Sequence, residues 1–261
     1  MSAFDYSFST LGCSELNMRE TADLAQRHGI RCVELRALSG SVDLIAALEA
    51  EFGGPSKFAT FLENRDLKVV ALNTSVRLFE STDLSALEPF IAWAEAAGAT
   101  HLRIFDGGKQ LTTEDMTRGA ALLDQWQRSR QSRGLNVDLM IETHDALADA
   151  GQLTAFIRQV PSARILWDTH HTWAKGSDLK TLWHVIAANV VHLHVKDSKM
   201  GDDGRRHYVL PGQGDFPMAE LIAALAPTDQ HLPLSLEWER HWHPELPPLD
   251  DALTAARTWW R

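Results

Sequence analysis

Asp5-Tyr6-Ser7-Phe8-Ser9-Thr10-Leu11-Gly12-Cys13 is the first strand-like run of the chain together with the turn that follows it. An open, doubly wound sheet that binds dinucleotides carries G-x-G-x-x-G at this point, because its backbone must come close to a pyrophosphate at a helix N-terminus. Leu11-Gly12-Cys13 offers a single glycine. The turn therefore favours the other common α/β solution, a closed barrel.

Working outward, further strand-like runs occur at Cys32 to Arg36, Lys68 to Asn73, His101 to Phe105, Val137 to Thr143, Ala163 to Asp168, Val190 to Lys196 and Leu234 to Glu237. Several lack clean polar/apolar alternation, as strands covered on both faces do. Segments of helical period lie between them, among them Ser14 to His28, Leu84 to Ala97, Thr113 to Arg133, Asp149 to Gln159, Asp178 to Ala188, Met218 to Leu225 and Leu249 to Trp260. Gly29, Gly98 and Gly134 each follow a helical run, where a left-handed residue can close the helix. Thr113 and Asp178 are candidate N-caps. Gly53-Gly54-Pro55 divides the stretch between the second and third strands, and Pro244 to Pro248 separates the eighth strand from the last helix. Eight βα units without a linker or low-complexity tract predict an α/β fold, a (β/α)8 barrel forming one domain over residues 1–261.

Composition narrows the function classes. The chain has 261 residues, 44% of them hydrophobic, and a formal charge of −10. An acidic surface argues against nonspecific binding to a polyphosphate backbone, whose affinity comes from neutralisation by Lys and Arg. A small neutral or weakly charged ligand fits better. The two cysteines, Cys13 and Cys32, are too few for a disulfide framework. The start MSAFDYSFST has neither the basic nor the apolar region of a signal peptide. No apolar stretch approaches the roughly 20 residues of a membrane span. A cytoplasmic protein acting on a small molecule is expected, and a homo-oligomer is compatible with everything above.

In a barrel the active groups lie at the C-terminal strand ends, where the loops converge. Glu142 follows Leu139-Met140-Ile141, Asp168 follows Ile165-Leu166-Trp167, His194 sits in Val191-His192-Leu193-His194-Val195, and Glu237 follows Leu234-Ser235-Leu236. Three carboxylates and an imidazole make an oxygen-rich site for one divalent ion. A lone acidic residue at a strand end is usually a solvated loop residue or a cap; its recurrence at successive strands is what points to a site. Period-2 alternation puts His192 and Lys196 on the face of His194, and Glu239 on that of Glu237 if the strand continues. His192 lies lower and reads as a hydrogen-bonded core histidine. Lys196 is either a charge donor to the substrate or a surface salt-bridge residue. Arg103 and Asp106 have opposite parity, so one of the two is expected in the pocket. Trp173 and Trp242 are the indoles placed to wall it, whereas Trp167, Trp183 and Trp238 read as packing.

These residues resemble the xylose isomerase-like barrels, a superfamily of sugar phosphate isomerases, ketose 3-epimerases, inosose dehydratases, hydroxypyruvate isomerases and endonuclease IV. The resemblance rests on Ile141-Glu142-Thr143-His144, the D-x-x-H of Asp168-Thr169-His170-His171, the H-x-H-x-K-D of His192 to Asp197, the turn Pro211-Gly212-Gln213-Gly214-Asp215-Phe216, and Ser235-Leu236-Glu237. It implies a TIM barrel in which Glu142, Asp168, His194 and Glu237 ligate one ion and His171 faces a carbohydrate substrate. It implies Mn²⁺ or Mg²⁺, with Co²⁺ or Zn²⁺ as alternatives; three hard carboxylates agree with the first pair. The chain departs from the endonuclease branch, since Leu72-Asn73-Thr74 and Ile104-Phe105-Asp106 lack that branch's histidine ligands and Arg205-Arg206-His207 matches its D-x-H only partly.

Such a site suits proton abstraction beside a ketone through an enediolate, with Glu142 and Glu237 as the proton-transferring pair, Lys196 near the charge, and Arg103 and Trp173 as substrate-pocket residues. Return of the proton to the same carbon gives epimerisation, return to its neighbour gives isomerisation, and loss of a β-hydroxyl gives dehydration of an inosose-like substrate. Hydrolysis is the remaining metal-dependent reading. A non-catalytic sugar-binding barrel has no use for the carboxylate pair.

Overall fold

The computed structural model describes residues 4–226 and 231–260; residues 1–3, 227–230 and 261 of the predicted domain, with the first three of the N-terminal stretch, lie outside the described residues. Ten strands are described: β1 (Phe4–Ser9), β2 (Cys32–Leu35), β3 (Lys68–Arg77), β4 (His101–Phe105), β5 (Asp138–Glu142), β6 (Ile165–Asp168), β7 (Val190–Val195), β8 (Asp197–Met200), β9 (Arg206–Val209) and β10 (Leu232–Leu236). Eight close into a parallel barrel in the order β1-β10-β7-β6-β5-β4-β3-β2, as a (β/α)8 TIM barrel requires. β8 and β9 form an antiparallel hairpin beyond the end of β7.

The connecting helices are α1 (Met18–His28), α2 (Leu44–Phe52), α3 (Pro55–Arg65), α4 (Glu88–Ala97), α5 (Thr113–Arg133), α6 (Ala150–Gln159), α7 (Thr169–Ala174), α8 (Leu179–Ile186), α9 (Met218–Leu225) and α10 (Leu249–Ala256). Local chemistry sets their ends. α1 starts at Met18 rather than Ser14 because Asn17 and Glu20 make a reciprocal capping box. The cap of α5 is Thr112 rather than Thr113: its hydroxyl accepts the Asp115 N–H, and Asp115 accepts the Thr112 N–H in return. Asp178 caps α8 as expected. Gly29, Gly98 and Gly134 close their helices with φ of 69°, 66° and 65°. β3 runs on to Arg77, beyond the expected Asn73, and α10 stops at Ala256, short of Trp260.

The strands are buried on both faces, as expected, and alternation appears toward the mouth, where it makes the site. Leu35, Leu102, Ile104, Ile141, Ile165, Trp167, Leu193, Val195, Leu234 and Leu236 are buried in the main apolar cluster. Their neighbours of opposite parity, Glu34, Arg103, Glu142, Asp168, His192, His194 and Ser235, are equally buried but polar. The outward series packs on helices and the inward series fills the barrel. A small separate cluster of Ala71, Met140 and Leu166 floors it, each two residues before Asn73, Glu142 and Asp168 on the same face. Trp167 stacks on Trp183, centroids 5.9 Å apart, in the barrel-to-helix layer. Among the described residues no helix is long and apolar enough to cross a membrane.

Phe156 of α6 is fully buried and meets Phe79 edge-on at 5.2 Å. Phe156→Ala is expected to cost about 3–5 kcal/mol, read as a lower urea midpoint with an unchanged denaturant slope.

Candidate metal centre

Four residues from four strand ends meet inside the barrel mouth. Glu142 ends β5, Asp168 ends β6, His194 lies one residue before the end of β7, and Glu237 follows β10, where its N–H still bonds the Val195 carbonyl at 3.0 Å. One ligand atom of each lies within 4.8 Å of the others, and all four residues are buried. His194 Nδ1 is 3.4 Å from Glu237 Oε2, 3.6 Å from Glu142 Oε1 and 4.0 Å from Asp168 Oδ2. Glu142 Oε1 and Oε2, Asp168 Oδ2 and His194 Nδ1 have no hydrogen-bond partner. Buried polar atoms are otherwise paired almost everywhere in proteins. Ligand atoms of three carboxylates and an imidazole that converge in this way, with atoms of Glu142, Asp168 and His194 left without hydrogen bonds, fit a hard divalent cation.

The other ring nitrogen explains how His194 is aimed. Its Nε2 lies 2.8 Å from Glu34 Oε2, on the same carboxylate oxygen that His192 Nε2 reaches at 3.0 Å. Asn73 donates to the second oxygen, Glu34 Oε1, at 2.6 Å. His192 also contacts Ser235 Oγ at 2.7 Å, which in turn lies 2.5 Å from Ser7 Oγ. A carboxylate on the far nitrogen fixes the imidazole's tautomer and rotation, the usual support of a metal-binding histidine. Sequence reading missed Glu34. Its signal was a carboxylate inside the apolar run Cys32-Val33-Glu34-Leu35.

Charges around the site are compensated from within. Lys196, 1% exposed, places Nζ 2.8 Å from Asp168 Oδ2 and 2.6 Å from both Glu237 Oε2 and Glu239 Oε1. It is thus a buried member of the cluster and not a surface salt bridge. Arg103 Nε lies 3.1 Å from Glu142 Oε2, while its Nη1 donates to the Thr74 carbonyl. Burial pushes the Glu237 carboxyl up, but His194 and Lys196 hold it well below the usual carboxylate range. Burial pulls the His194 imidazole down, and Glu237 and Glu34 overcome it, holding the ring well above its ordinary value.

The other residues singled out in the sequence lie at varying distances from this centre. His171, on α7, has Nε2 3.2 Å from Asp168 Oδ2 and lines a cavity of about 450 Å³ at the barrel mouth, with Tyr208 and Arg206 from the hairpin. Tyr208 donates to Glu239 at 2.8 Å, which makes Glu239 a lip residue. Trp173 lies under the Arg206 guanidinium, 4.0 Å from it, and Trp242 is exposed. Of the pair with opposite parity, Arg103 enters the cluster. Asp106 instead accepts the N–H groups of Gly107, Asp145 and Leu147 and so ties down the loop that carries His144. The glycine turn is held the same way: Asp197 accepts from Gly212, Gly214 and Phe216, and a Cβ at Gly214 would collide with Asp197 Oδ1.

The sequence profile of the xylose isomerase-like TIM barrel family matches residues 22–261. No curated protein sequence matches the chain. Solved structures with the same fold include a probable 3-DHS dehydratase, AsbF, from Bacillus anthracis, with 17% identity, TM-score 0.75, and 97% of this chain and 98% of that one covered. They also include the IOLI protein with a bound zinc atom, with 16% identity, TM-score 0.77, and 98% and 96% covered. A D-psicose 3-epimerase in the presence of D-fructose shares 12% identity at TM-score 0.70, with 97% of each chain covered.

Because Glu34 touches His194 on the side away from the carboxylates, Glu34→Gln is expected to weaken Mn²⁺ binding about 10–100-fold. Calorimetric titration of the metal-free protein reads this directly, and an unchanged affinity would remove Glu34 from the role.

Proposed function

Since this chain belongs to the xylose isomerase-like TIM barrel family, we propose that it is a divalent-metal-dependent isomerase or epimerase of a keto-sugar or a related polyol or sugar acid. One observation carries the reading: Glu142 and Glu237 converge with Asp168 and His194 in a buried set whose ligand atoms include four without hydrogen-bond partners. Those four residues would hold Mn²⁺ or Mg²⁺, with Co²⁺ or Zn²⁺ as alternatives. When bound, the ion supplies Lewis-acid polarisation of a ketone and its neighbouring hydroxyl.

The remaining chemistry belongs to the chain. Glu142 and Glu237 come from strands three steps apart in the barrel, so a substrate bound over the centre meets two carboxylates from different directions. One takes the proton beside the carbonyl and the other returns it. Arg103 orients the Glu142 carboxylate through the 3.1 Å contact. Lys196, touching Asp168 and Glu237, sets an ammonium where an enediolate oxygen gains charge. His171, between Asp168 and the cavity, is placed to orient a substrate hydroxyl. A β-hydroxyl on the substrate would divert the same first step to dehydration, a reading supported by the likeness to the probable 3-DHS dehydratase.

In heavy water the Mn²⁺-loaded protein is expected to place solvent deuterium beside the carbonyl of a ketose or inosose, followed by NMR across a substrate panel. Glu142→Gln and Glu237→Gln should each slow the exchange by at least about 10²-fold, the low end of what a positioned base contributes. Chelator treatment should abolish it, and added Mn²⁺ should restore it. Hydrolysis of a substrate without exchange would reject the reading.

A further inference from the structure

Arg36 stands directly after β2, two residues beyond Glu34. Period-2 geometry puts both on the inner face, with Arg36 about 6.6 Å nearer the mouth. Glu34 reaches His194, and Arg36 stands one period further along the same face of the chain. Its backbone is fixed there: the Arg36 N–H donates to Thr10 Oγ1 at 2.9 Å, as the Ala37 N–H does at 3.1 Å.

The side chain is costly as it stands. Arg36 is 5% exposed, and among the described residues no carboxylate lies within ion-pair distance of it. Nη2 donates to Ser75 Oγ at 3.1 Å, whereas Nη1 is buried without a hydrogen-bond partner. A buried charge is normally paired, because desolvating it unpaired costs several kcal/mol. The neighbourhood adds to the cost. Burial and the second guanidinium, Arg103, both work against the charged form, while Glu142, Glu237 and Glu34 favour it from further away. A rigid, dry cation with a free donor beside a carboxylate cluster is equipped for an anionic oxygen.

We propose that Arg36 binds an anionic oxygen of the substrate above the metal centre, either a carboxylate that the substrate brings or the enediolate oxygen that forms on proton abstraction. The inference rests on the reading of Glu142, Asp168, His194 and Glu237 as that centre. No role for Arg36 in stabilising the fold is required, since burial and the Arg103 charge both work against the guanidinium as it stands.

The test is calorimetric binding of three small probes to the Mn²⁺-loaded protein: glycolate as a carboxylate, glycolohydroxamate as a chelating enediolate mimic, and neutral dihydroxyacetone. Arg36→Gln is expected to weaken glycolate, glycolohydroxamate or both by about 10–100-fold, as loss of a charge-assisted hydrogen bond does. Dihydroxyacetone affinity should not change, and the thermal midpoint of the metal-free protein should hold or rise. Loss confined to glycolate identifies a substrate carboxylate, and loss confined to the hydroxamate identifies the enediolate oxygen. Arg36→Lys should recover part of the affinity. The proposal is overturned if both anions bind the variant as they bind the unaltered protein, if neither binds the unaltered protein, or if the variant's midpoint falls by several degrees. Failure of the parent reading shows separately, as absent Mn²⁺ binding in the unaltered protein.

Discussion

The bond between His194 and Glu34 is the contact on which the centre depends. It joins β7 to β2 across the barrel interior, between strands that are not neighbours in the sheet, and it leaves Nδ1 pointing at three carboxylates. Without it the imidazole could rotate or adopt the other tautomer. With it, the ring is a fixed wedge against which Glu142, Asp168 and Glu237 are arranged. Asn73, His192, Ser235 and Ser7 continue the network downward, so the polar barrel interior is filled by groups that pair with one another.

The alternation of the strands divides the work. Outward side chains such as Leu193, Val195, Leu234 and Leu236 supply the apolar burial that holds helices to the barrel, while inward ones carry the chemistry. The same strand thus holds the fold and presents the site, and the two duties fall on different residues. Asp106 and Asp197 extend the division to the loops. Each spends its carboxylate on successive backbone N–H groups, and each thereby fixes a loop at the mouth.

Much of the fold was legible because barrel strands are marked locally, by short apolar runs that end in polar residues and by glycines after helices. Glu142, Asp168 and Glu237 could be read in the same way, each the first carboxylate past its run, as could His194 within its own. Glu34 showed only as a carboxylate inside an apolar run, since its meaning depends on which strand lies across the barrel, and no local pattern encodes that. Lys196 was visible on the right face, but its burial depends on three carboxylates from β6 and the end of β10. The β8–β9 hairpin escaped because Asp197–Met200 and Arg206–Val209 are short and largely polar, without an apolar run to announce a strand. The displaced cap at Thr112 shows the finer limit: adjacent threonines compete, and the bond to Asp115 decides.

Lys196 has one more consequence. An ammonium set among Asp168, Glu237 and Glu239, with Arg103 against Glu142, means that the chain brings its own counter-ions to its most acidic spot. Small zinc domains are unfolded until their metal arrives. A barrel built in this way has its carboxylates balanced by its own cations, so its folding need not wait for an ion to hold them together.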